Sequence, residues 1–229
     1  ASSDYANRLL DISTGESQLF VDVTDEGVGP GQVLFMFGNV GTEACSIAEV
    51  YFDDGTLPDD HSLAGVAGLI DLDEDAGGAA YTGNSGVNFL AGSASPGELP
   101  GAATLTPDFE TTVGFLADAE NPAGGDNGNG VNPGEWLGVV FDLKTGIGLE
   151  DVVENLNYGW QQPSHASSLR VGIHVISFDD HGTGEGGSES FITTGPPRQV
   201  PEVVPVPGAM LLGTIGLGVA AQRLRRRRG

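Results

Sequence analysis

The chain has 229 residues, 39% of them hydrophobic and 18% charged, with 37 glycines, 13 prolines and one cysteine. Glycine at about twice ordinary usage, scattered without a three-residue period, argues against a helical bundle, a coiled coil or a collagen helix, and the apolar fraction argues against a fully disordered chain. The net charge is −23; residues 1–222 hold all 32 acids against Arg8, Lys144, Arg170 and Arg198, a net of −28 that nucleic-acid phosphates and anionic membrane surfaces repel.

The chain starts at Ala1 without a methionine, which fits removal of a secretory signal peptide after a small residue and equally fits a truncated reading frame. From Ser17 to Thr24, Leu19, Val21 and Val23 alternate with Gln18, Asp22 and Thr24, the period of a half-buried strand that Phe20 interrupts. After the turn-forming residues Asp25–Gly31, the apolar run Gln32–Phe37 predicts a strand buried on both faces. Ser46–Asp53, Ala67–Leu72, Val87–Leu90, Ala103–Thr106, Thr112–Ala117 and Trp136–Leu143 read as further strands between glycine- and proline-rich turns. The asparagines, glycines and prolines of Glu120–Glu135 predict a surface loop. One crossover helix is expected over Leu149–Tyr158, where Leu149, Val152, Val153 and Leu156 recur at helical spacing. Strands over Leu169–Phe178 and Glu189–Thr193 follow, the first with Leu169, Val171, Ile173 and Val175 on one face and Arg170, Gly172, His174 and Ile176 on the other. The expected fold is all-β: an antiparallel, jelly-roll-like β-sandwich over residues 1–195 with one short helix, a linker over 196–204, and a C-terminal segment over 205–229 holding an apolar helix.

Several residues carry candidate chemistry. Cys45 has no cysteine to pair with and sits near Ile47, Val50 and Phe52, so it reads as a buried small hydrophobe. Asp53-Asp54-Gly55, Asp71-Leu72-Asp73-Glu74-Asp75 and the loop with Asp126, Asn132 and Glu135 supply the oxygen ligands calcium takes, with Asp71, Asp73, Asp75, Asp126, Asn132 and Glu135 as its candidate ligands. Gly128 and Gly130 stand where an EF-hand needs acids or amides, and a solvated acidic surface explains the same residues. His61, His165, His174 and His181 form no His-x-x-x-His pair. His174 with Asp179, Asp180, His181 and Ser188–Ser190 contains the ingredients of nucleophilic catalysis, but no Gly-x-Ser-x-Gly elbow accompanies them. Trp136, Trp160 and Tyr158 could stack on sugar rings; both tryptophans read first as packing residues.

The strongest sequence signal is the tail. Val204-Pro205-Val206-Pro207-Gly208-Ala209 is followed by the uncharged Met210–Ala221 and then by Arg223, Arg225, Arg226, Arg227 and Arg228. Counted from Val203 the apolar stretch is about long enough to span a bilayer, and the arginines would stay on its cytoplasmic side, with the body outside. This order resembles the PEP-CTERM sorting signal of exported bacterial surface and matrix proteins, with Val206 where the family motif has glutamate. Gly130–Gly138, Arg170–Val175 and Ser188–Phe191 also look like segments of the bodies that carry this signal. The resemblance implies anchoring in the cytoplasmic membrane before processing, recognition by an exosortase-type membrane transpeptidase, removal of the tail, and delivery of the body to the cell surface or extracellular matrix of a bacterium that makes exopolysaccharide. The expected function is therefore non-enzymatic display outside the cell, with calcium or polysaccharide as ligands. The alternative is a polysaccharide-active hydrolase on the same scaffold, with carboxylates as acid and base.

Overall fold

The computed structural model describes residues 3–55, 62–71, 87–89, 98–116, 129–179 and 187–193. The chain divides into two units, Ala1–Gln199 and Val200–Gly229, and the described residues all belong to the first. The linker from 196, the sorting motif, the apolar segment and the arginine cluster lie outside them. Among the described residues no helix is long and apolar enough to cross a membrane.

The body is mostly β, as expected. Helix α1 (Ser3–Gln18) leads into β1 (Leu19–Thr24), β2 (Gln32–Asn39), β3 (Ser46–Asp53), β4 (Leu63–Asp71), β5 (Val113–Leu116) and β6 (Trp136–Leu143); helix α2 (Leu149–Gln161), β7 (Arg170–Ile176) and β8 (Glu189–Ile192) follow. All strand pairs are antiparallel, in two four-stranded sheets ordered β1-β2-β6-β4 and β5-β3-β7-β8. As the sequence suggested, α2 carries the chain from one sheet to the other, between β6 and β7.

The sheets meet through Phe52 of β3, whose ring stands edge-on to Phe141 at 4.8 Å, Phe35 at 5.1 Å and Phe37 at 5.9 Å. All four rings are buried, and Val33, Val50, Leu137, Val139, Val171 and Val175 surround them. On β2, Val33, Phe35 and Phe37 face this core, while Leu34 and Met36 on the other face are half-buried, so the strand is not buried on both faces as expected.

A bulge at Ala48 changes which face of β3 is which. Ile47 pairs with Val175 and Glu49 with His174, so Ile47 and Val50 both reach the core despite their odd spacing, while Glu49, Tyr51 and Asp53 share the outer face. That outer face is covered by residues 98–110, where Leu99, Ala102 and Phe109 pack on Tyr51. The strand expected over Ala103–Thr106 is instead a one-turn 3-10 helix, Ala102–Thr104, started by Gly101 in the left-handed region and held by the hydrogen bond from Leu105 N–H to the Ala102 carbonyl. A few alternating residues cannot specify a strand when the flanking chain turns. Val87 and Phe89 are core residues without forming a strand, and Leu90 lies outside the described residues.

Beneath the 98–110 cover lies a buried ion pair. Arg170 Nε donates to Asp53 Oδ2 at 2.9 Å, Nη2 donates to the same oxygen and to the Asp108 carbonyl, and Nη1 donates to the Pro107 carbonyl at 3.0 Å. The guanidinium lies 5.2 Å from the centre of the Phe109 ring, and Asp53 also accepts from the Gly55 and Glu110 amides. Arg170 thus ties β3 and β7 to the segment that covers them.

Two further features depart from expectation. Residues 129–131 are buried rather than part of a surface loop, with Val131 fully buried and exchanging hydrogen bonds with Ile47 at 3.0 and 3.1 Å, while Pro133 and Gly134 are exposed as expected. Helix α1 was not foreseen because its pattern is inverted. Asp11, Gly15 and Gln18 form its buried face, whereas Leu9 and Leu10 are 49% and 51% exposed. The Gln18 side chain replaces apolar packing with hydrogen bonds to the Glu43 carbonyl at 2.9 Å and Cys45 Sγ at 2.8 Å. Gly15 lets the helix rest on Phe191, since a Cβ there would lie 2.2 Å from the ring.

Arg170→Met is expected to lower unfolding stability by about 3–5 kcal/mol, because it strands the Asp53 carboxylate without its cation. Urea unfolding of Arg170→Met and of Arg170→Met combined with Asp53→Leu checks this; the double variant should recover part of the loss.

Candidate functional site

The proposed calcium ligands divide by location. Asp73, Asp75 and Asp126 lie outside the described residues, and Asp71 ends β4 with its backbone opposite Leu137. Asn132 and Glu135 are brought together in one turn: Glu135 Oε2 accepts from the Asn132 amide N–H and from Asn132 Nδ2, each at 2.9 Å, and the Glu135 N–H returns to the Asn132 carbonyl at 2.9 Å. Asn39 fixes this turn, taking a hydrogen bond from the Gly134 N–H at 2.6 Å and donating its own N–H to the Glu135 carbonyl at 3.2 Å. Asp53 and Asp54, candidates as hard oxygen donors, serve the fold instead. Asp53 holds Arg170, and Asp54 accepts from the Ser62 and Leu63 amides at 3.1 and 2.8 Å, both carboxylates being buried. Among the described residues no group of three or more metal-ligating side chains gathers.

The polar cluster that the fold does assemble lies on the outer face of the second sheet. His174 Nδ1 sits 3.0 Å from Glu49 Oε2, and the Tyr51 hydroxyl donates to the same oxygen at 2.5 Å. Since an ionised carboxylate only accepts, Nδ1 carries the hydrogen. Burial raises the Glu49 pKa, but the hydrogen bonds from His174 and Tyr51 outweigh it, and the net shift is downward. The Tyr51 phenol is pushed up, first by burial and then by the neighbouring carboxylate. Ser190 lies opposite His174 across β7 and β8, so Glu49, His174 and Ser190 occupy one row over three strands. Among the described residues no hydrogen bond joins His174 to Ser190. The sequence pointed to His174 and Ser190; it missed Glu49 and Tyr51, whose outward direction depends on the Ala48 bulge.

Cys45 is buried, as expected, and accepts hydrogen bonds from Gln18 and Asn39; burial raises its thiol pKa despite them, which disfavours the reactive thiolate. Trp136 is half-buried at the start of β6. Trp160 is not a packing residue: it lies inside α2, 38% exposed, with its indole N–H held by Asn157 Oδ1 at 3.3 Å. The helix runs three residues past its expected end, to Gln161, and Gly159 sits so close to the residue before β7 that a Cβ would lie 2.0 Å from the Leu169 carbonyl, so Gly159 takes the buried side and Trp160 the exposed one. Tyr158 stacks on His165 with ring centres 3.9 Å apart. His61 and His181 lie outside the described residues.

In comparisons with known proteins, no family model, no curated protein and no solved structure matches the chain.

Because the folded Glu49 pKa is depressed, its contribution to stability is complete above the unfolded value of about 4.3 and is lost as pH falls through the lower folded value. Glu49→Gln is expected to cost about 1–2 kcal/mol at neutral pH and to flatten this acid limb, measured by urea unfolding across the carboxylate range.

Proposed function

We propose that this chain is an exported, non-enzymatic bacterial surface or matrix protein, whose β-sandwich body reaches the cell exterior through a PEP-CTERM-like sorting segment handled by an exosortase-type transpeptidase. The observation that carries the reading is the order Val204-Pro205-Val206-Pro207-Gly208-Ala209, apolar Met210–Ala221, then Arg223 and Arg225–Arg228. An apolar segment enters the cytoplasmic membrane, the arginines hold its far end on the cytoplasmic side, and the prolines keep the junction extended where a transpeptidase could reach it. A body with a net charge of −28 would not adhere to the anionic membrane it leaves. The exterior is also where calcium is abundant enough to fill weak oxygen sites, and where polysaccharide is at hand.

Intact mass of the surface-exposed protein from its own cells tests the sorting step: the segment beginning near Pro205 to Gly208 should be missing, and recovery of Arg225–Arg228 on surface protein overturns it.

Thermal unfolding of the mature form in calcium and in chelator, at fixed ionic strength, tests the metal. A saturable rise in Tm that magnesium fails to reproduce is expected, and identical curves assign the acids to surface solvation. Incubation with exopolysaccharide should retain glycan on the protein, and release of fragments would transfer the reading to a polysaccharide-active hydrolase.

A further inference from the structure

We propose that the seam between β1 and β8, bridged by α1, is a binding site for a small amphipathic molecule with an apolar body and a cationic head, the chemistry of a long-chain amine. This goes beyond the sorting and display reading and does not depend on it.

A two-sheet sandwich leaves its flanks open where edge strands face one another. Here β1 ends one sheet and β8 ends the other, and α1 lies against both. The inward-facing side chains at this flank, Leu19 and Val21 from one sheet and Ile173 and Phe191 from the other, are only partly buried although they pack on the core. Between them the structure holds a cavity of about 570 Å³, within the range of small-molecule sites. Its deep wall adds Phe37 and Val171. Such a lining favours an alkyl or aryl body and disfavours a glycan, whose hydroxyls would lose water without finding partners.

The mouth supplies the charge. Arg8, Ile12 and Glu16 stand at successive turns on one side of α1 and line the opening together with Glu189. Arg8 Nε meets Glu189 Oε1 at 2.7 Å, and this carboxylate is only 12% exposed, so the pair is a polar edge to the apolar chamber. Glu16, two turns beyond Arg8, is exposed, and among the described residues no hydrogen bond or ion pair engages it. Two carboxylates against one guanidinium leave the opening negative, in a body whose overall field already attracts cations. An ammonium group meets Glu16 while its chain enters between the sheets; a carboxylate head meets repulsion at the same place.

The test uses the full chain and three probes with the same alkyl chain, all below their micelle thresholds: dodecylammonium, dodecanoate and dodecyl maltoside. Isothermal titration should give saturable binding of one dodecylammonium per chain, at least tenfold tighter than dodecanoate, weakening about fourfold for each methylene removed. Glu16→Lys should abolish the preference for the amine. Ile12→Trp should reduce binding at least tenfold by filling the cavity, with the unliganded Tm as control. Equal affinity for amine and carboxylate, absence of saturable binding, or binding that survives both substitutions overturns the proposal. If Ile12→Trp perturbs the fold, Leu19→Trp fills the same space from β1, and Glu16→Lys, at an exposed position, remains readable by itself.

Discussion

Contact between the two sheets rests on one ring. Phe52 comes from the second sheet and is surrounded edge-on by Phe35, Phe37 and Phe141 of the first, all buried. Edge-to-face packing of this kind adds to the burial of large apolar rings and is directional, so it sets where the central strands lie against one another as well as holding them together. With β2 and β6 placed on β3 and β7, the edge strands β1 and β8 fall on the same flank, and the helix that precedes β1 is carried across the opening between them.

The same placement decides what the acidic residues do. Of 32 acids, several that look like ligand donors in the chain are drawn into structural duties. Asp53 neutralises a buried arginine, Asp54 holds the amides that open β4, Asp151 accepts from the Gly148 N–H at the start of α2, and Glu135 closes a turn on Asn132. Asp53 and Asp54 replace water around donors that folding has covered, the condition under which a carboxylate is tolerated in the interior, whereas Glu135 is half-buried and Asp151 caps its helix from an exposed position. The rest of the negative charge remains a property of the surface. It keeps the body away from anionic membranes and polymers and draws cations toward openings such as the one beneath α1.

Strand existence was largely legible in the chain because the alternation of apolar and polar residues has the period of a strand, and glycine and proline mark its ends. Ser46–Asp53 and Trp136–Leu143 have the predicted limits, and α2 begins where its acidic first turn and apolar spacing place it. Two of the failures share one cause. Helix α1 turns Gln18 inward because the hydrogen-bonding partners Glu43 and Cys45 are waiting there, contributed by a distant loop. Val131 is buried because Ile47 offers it a strand edge beside the bulge. Neither partner is visible from the local sequence.

By itself, then, the sequence determined the fold class, the acidic character of the body and the three-part order of its tail, since each is a property of composition or of spacing along the chain. Tertiary structure alone decided which carboxylates are consumed by the fold, that Glu49 and Tyr51 converge on His174, and that a cavity lies beneath α1. A one-residue bulge reverses the direction of the side chains on one side of it, and a cavity belongs to the distance between elements far apart in the chain.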